Sequence, residues 1–158
     1  MSRAVIQGYA AVFGVPDLSG DVIRPGAFGK LIPAAAARVR MLAQHAAEVP
    51  VGRWVRMEED AKGLRATGEI FTNTDAGRNL HRLLRGGAID GLSIGFKPVR
   101  TRKAATGREI VSAELWEVSI VTFPMALGAR ITFVGNDGEG ARRPPRDLLK
   151  SDLRRGNA

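Results

Sequence analysis

Apolar and polar residues along most of the chain follow the short period of strands, with turn-forming residues between the runs. The first such run, residues 4–15, carries Val5, Ile6, Tyr9, Val12 and Phe13, with Gly8 as a candidate bulge. PDLSGD (16–21) reads as a polar turn, and residues 22–28, interrupted by Pro25 and Gly26, end in an apolar anchor at Phe28. Residues 28–38 predict a short alanine-rich helix broken near Pro33, and a strand then runs through Val39, Met41 and Ala43 to His45. VGRWVRME and KGLRATGEIF predict an antiparallel hairpin across EEDAKG. The clear helix is 75–85, with Thr72 and Thr74 as candidate caps, a stripe of Leu80, Leu83 and Leu84, and Gly86 and Gly87 to close it. GLSIGFKPVR and REIVSAELWEVSIVTF predict two long strands joined by the loop TRKAATG, and ARITFV a last short one.

This pattern changes at residue 135. The remainder, 135–158, is rich in glycine, proline and charge, with six basic and four acidic residues and little to bury, so residues 1–134 are expected to fold and 135–158 to form a basic, flexible tail. A chain of 158 residues supports one domain with a hydrophobic core. Cysteine is absent, which excludes disulfides, thiol nucleophiles and thiolate metal sites. No segment approaches the roughly 20 apolar residues of a membrane-spanning helix, and the N-terminus has no long apolar signal core, so an intracellular, soluble protein is expected. The net charge of +8 admits nucleic acid or acidic partners, but the basic residues are scattered and no nucleic-acid motif accompanies them. No phosphate-cradling or dinucleotide loop is present either.

The chemistry concentrates around AIDGLSIGF (88–96). Period-two reading turns Leu92, Ile94 and Phe96 to one face and Gly91, Ser93 and Gly95 to the other, leaving a serine hydroxyl beside two positions with no side chain. Glycine in a strand interior is costly, so this small face serves either the approach of an extended ligand or a close backbone contact within the fold. A serine needs an imidazole to accept its proton, and the chain has two histidines. His81 lies within the helix between arginines, as a structural histidine would. His45 ends the apolar approach MLAQH just before a turn, where it either presents its ring to a cleft or caps the turn. A carboxylate to orient the imidazole is offered by Glu117, which shares a strand face with Leu115, Ser119, Val121 and Phe123. Glu114, on the opposite face, is the weaker candidate. Asp17, Asp21 and Asp90 lack a calcium-loop pattern and read as turn residues. Arg130 is a candidate side-chain donor to an oxyanion, or ordinary surface charge.

Four segments in this order, GYAAVFGVPDLSGDVIRPGAF, MLAQHAAEVPVGRW, GRNLHRLLRGGAIDGLSIGF and LWEVSIVTFP, resemble the prohead serine proteases of HK97-type tailed bacteriophages and their prophage and gene-transfer-agent relatives. The resemblance implies an α+β fold like that of the herpesvirus assembly proteases, a compact, mainly antiparallel β-barrel with flanking helices. It implies a serine endopeptidase that cleaves the scaffold segment of a major capsid protein precursor, and often itself, inside the assembling procapsid in the bacterial cytoplasm. Site residues carried over by the motifs are Ser93 as nucleophile, His45 as base and Glu117 as the acidic member, with no cofactor, metal, membrane or specific nucleic acid required. The chain departs from the family pattern at Ala46 and Ala126, where an acidic residue and an asparagine are common. The alternative function is a non-catalytic capsid assembly or scaffold-binding protein.

Overall fold

Turn chemistry sets the scaffold. The strands Pro50–Glu59 and Gly63–Phe71 turn at Asp60, whose Oδ1 accepts the Lys62 and Gly63 N–H groups at 2.8 and 3.1 Å. The computed structural model describes residues 2–138. In chain order the elements are Arg3–Val12 (β1), Val22–Ile23 (β2), the helix Pro33–Ala36 (α1), Arg40–Ala43 (β3), Pro50–Glu59 (β4), Gly63–Phe71 (β5), the helix Asp75–Arg85 (α2), Gly91–Ala104 (β6), Gly107–Val121 (β7) and Ile131–Val134 (β8).

The fold is α+β, with all eight strands in one sheet of order β2-β7-β3-β4-β5-β1-β8 and β6 paired to β7. Among the described strand ladders the parallel ones are those of β2 and β3, both with β7. β6 occupies one edge of β7 along its length, and β2 and β3 share the other, at Glu109–Ile110 and 117–120 respectively. The core packs Ile6, Met41, Trp54, Ile70, Leu92 and Ile120, all essentially inaccessible to solvent.

The barrel implied by the resemblance is corrected by this topology: the sheet does not close. No ladder joins β6 to β8. The two meet at one isolated bridge, Gly91 to Arg130, with the Leu92 N–H donating to the Ala129 carbonyl and the Ile131 N–H to that of Asp90. Downstream of that bridge, among the described residues, no strand pairs with the outer edge of β6.

Several local expectations change as well. Pro33 begins α1 instead of breaking a helix, because a missing N–H costs nothing in the first turn. The loop TRKAATG is mostly strand: β6 and β7 continue to Ala104 and Gly107, leaving a two-residue turn. Thr74 caps α2 by accepting the Gly77 N–H at 3.0 Å, whereas Thr72 donates to Asp137 Oδ1 at 2.5 Å. Leu80 and Leu84 are buried but Leu83 is exposed. Residues 135–138, the start of the expected tail, run beside β1, with the Gly135 and Gly138 N–H groups donating to the Val5 and Arg3 carbonyls. His81 Nε2 lies 2.8 Å from the Gly135 carbonyl oxygen, the structural part expected of it. The rest of the tail, 139–158, lies outside the described residues.

Candidate active site

The alternation of β6 and β7 brings the chemistry onto one face of the sheet. Across this pair Gly91 faces Val121, Ser93 faces Ser119 and Gly95 faces Glu117. Directly opposed residues in antiparallel strands share a face, so the Ser93 hydroxyl stands beside Ser119 and one pair away from Glu117. Leu92, Val118 and Ile120 point the other way, into the core. Trp54 adds a fixed point there, its Nε1–H donating to the Val118 carbonyl at 3.1 Å, between Glu117 and Ser119.

The two glycines have separate uses. A Cβ on Gly95 would lie 2.5 Å from Glu117 Cγ and 2.8 Å from its Oε1, so the Glu117 side chain lies across the bare backbone of Gly95. A Cβ on Gly91 would lie 2.9 Å from Pro124 Cδ, because the chain after β7 folds back over that position. Both positions are filled by other parts of the fold, which is the close-contact reading. Residues 92–96 of β6, Ser93 among them, line a cavity of about 340 Å³ whose lining includes neither His45 nor Glu117. Val12, Met125 and Ala126 contribute its other side. Two further lining residues form an ion pair: Arg108 Nε donates to Asp21 Oδ1 at 2.9 Å, and that bond, then the carboxylate's charge, raises the Arg108 pKa above its ordinary value.

His45 reaches this face from β3. Strand β3 lies parallel to β7, with Arg40 opposite Glu117 and Ala43 opposite Ile120, so the residues just past β3 emerge at the end of the site. Gln44 and His45 then both take left-handed backbone, at φ 53° and 59°, the only non-glycine residues among those described to do so. This turn directs the imidazole back to Glu117, with His45 Nδ1 in hydrogen-bond contact with Glu117 Oε1. That contact assigns the Nδ1 proton to the side facing the carboxylate and leaves Nε2 as the free acceptor. Glu117 Oε2 accepts the Ser119 hydroxyl at 3.0 Å, so both carboxylate oxygens are engaged.

The structure therefore brings His45 and Glu117 into direct contact and places Ser93 on the adjacent strand, on the same face. No hydrogen bond joins Ser93 to His45; the hydrogen bond that the ring makes is with Glu117. Ser93 is 4% exposed, Ser119 fully buried and the His45 side chain 43% exposed. Ser119, which the period-two pattern had put on Glu117's face without a role, is the second partner of that carboxylate. Phe123, placed on that face too, lies beyond the end of β7 and is exposed. Glu114 is exposed opposite Lys97. Asp17 folds its own turn by accepting from Ser19 and Asp21, while Asp90 pairs with Arg130 Nη1 at 2.8 Å. Arg130 Nε donates to the Leu127 carbonyl at 3.0 Å, so its guanidinium clamps the 127–130 turn.

Comparison with known proteins shows likeness at two levels, fold and sequence. The fold is similar to that of Kaposi's sarcoma herpesvirus protease, with 16% identity, 86% of this chain and 79% of the other covered, and a TM-score of 0.55. Varicella-zoster virus protease matches with 14% identity, 82% and 63% coverage, and a TM-score of 0.53. At such identities the likeness concerns the fold alone. In sequence the chain is 33% identical over 126 residues to the prohead protease of Enterobacteria phage HK97, covering 77% of this chain and 56% of that protein. The chain thus spans little more than half the length of that relative. The family profile described as Caudovirus prohead serine protease matches residues 1–143. With that match over most of its length, the chain belongs to the caudovirus prohead serine protease family.

Proposed function

We propose that this protein is a serine endopeptidase that cleaves the scaffold segment of a major capsid protein precursor, and itself, within the assembling procapsid. The observation that carries the reading is the His45–Glu117 pair on the same sheet face as Ser93. In the proposed reaction His45 Nε2 takes the Ser93 proton as the hydroxyl oxygen attacks the scissile carbonyl. Glu117 holds the Nδ1–H and stabilises the imidazolium that forms. Collapse of the tetrahedral intermediate passes that proton to the leaving amine and leaves an acyl-serine, which water then hydrolyses with His45 again as base.

The cavity beside Ser93 supplies a place for an extended substrate. Backbone groups alternate in direction along a strand, and the Leu92 N–H points outward to Ala129. Ile94, two residues on, therefore turns its N–H and C=O to the same open edge, beside the cavity. A peptide laid along β6 would meet those groups as a further strand, which is a sequence-tolerant way of holding a cleavage segment.

The test is co-expression of the capsid precursor with the protein and with its Ser93→Ala variant, followed by mass analysis of assembled particles. Defined new precursor termini with the unaltered protein and an intact precursor with the variant are expected. An intact precursor in both, in particles that have assembled, would transfer the role to a non-catalytic assembly protein.

A further inference from the structure

We propose that Gln44 is a positioning residue for the base, locking the turn that carries His45 to the segment that forms the wall of the cavity. This rests on the reading of His45 as the base. Two consecutive left-handed residues with side chains do not hold themselves in place, since each sets its Cβ against the following carbonyl oxygen. Their conformation must be imposed by outside bonds. Gln44 supplies three of them. Its backbone N–H donates to the Ile120 carbonyl at 2.9 Å. Its side-chain Nε2 donates to Thr122 Oγ1 at 2.6 Å, and its Oε1 accepts the Thr122 N–H at 3.2 Å.

Both ends of the amide are thus used on one residue, a two-point contact that fixes orientation as a single bond does not. Thr122 is the first residue after β7. From it the chain passes through Pro124, over Gly91, to Met125 and Ala126 at the cavity. The clamp therefore holds two things in one frame: the imidazole and the wall against which substrate lies. Because Gln44 is exposed, its side-chain bonds compete with water, and their value lies in geometry more than in stability.

The chain's two histidines make this directly measurable. In ¹⁵N-histidine spectra His45 reports on the turn, and His81, bound to the Gly135 carbonyl, serves as the internal reference. In Gln44→Ala the His45 ring signals should move or broaden while those of His81 stay in place. On precursor cleavage kcat should fall roughly 10- to 100-fold, with a smaller rise in KM as the wall is released. Gln44→Glu should restore both readouts, since a carboxylate can accept from the Thr122 N–H and hydroxyl together. His45 signals that superimpose on the unaltered protein's would overturn the proposal. So would a Gln44→Ala protein that loses its fold without rescue by glutamate, since Gln44 would then be a stability residue. The ring spectrum decides the matter even if no preparation cleaves precursor, which would count against the protease reading alone.

Discussion

His45→Asn is expected to lower kcat/KM for precursor cleavage by about 10⁴-fold or more while the protein stays folded. The chemical loss is that of the only imidazole at the site, and an amide side chain cannot take its place as a base. The fold should survive because the ring is 43% exposed and contacts Glu117 rather than the core. Asparagine is the suitable replacement, since it tolerates the left-handed backbone at φ 59° better than alanine does. His81 cannot substitute, being held on α2 against Gly135, and His81→Asn should leave turnover unchanged. Single-turnover rates alongside the melting temperature check this. Near-normal cleavage by His45→Asn would place the base elsewhere.

The second large effect is expected from one added methyl group. In Gly95→Ala the new Cβ occupies space 2.5 Å from Glu117 Cγ, so the glutamate must rotate away from the position in which it contacts His45. Gly95 has no left-handed backbone to protect, so an alanine brings no conformational strain of that kind. Displacing the orienting carboxylate should cost on the order of 10²-fold in kcat, with only a small change in melting temperature. Loss of folding in step with activity would instead make Gly95 a packing position.

These effects depend on features that the sequence revealed unequally. The β4–β5 and β6–β7 hairpins and helix α2 were legible because their signals are local: alternation, turn residues and a threonine cap. Period-two reading grouped Ser93 with Gly91 and Gly95, and Glu117 with Ser119, but that these two faces coincide is set by the β6–β7 register. The parallel seat of β3 against β7 leaves no local trace, since it joins residues more than 70 positions apart, as Arg40 and Glu117 are. Neither does the left-handed turn at Gln44 and His45, two residue types that carry no turn signal comparable to glycine. Phase also drifts where the ladder is irregular: Gly95 faces Glu117 and Phe96 faces Leu115, leaving Trp116 as an unpaired, exposed bulge residue. The barrel was an inference from resemblance, and it fails at one seam. Among the described residues the single Gly91–Arg130 bridge leaves the β6 edge unpaired beyond Leu92, and the cavity beside Ser93 lies along that stretch.

The central claim is that Ser93 is a nucleophile activated by His45, and covalent trapping tests it most directly. The purified protein is treated with a fluorophosphonate, and the adduct is located by peptide mass mapping. The account predicts one phosphonyl group on Ser93, formed far more slowly in His45→Asn. An adduct on another serine, or none in a preparation that cleaves precursor, would contradict it.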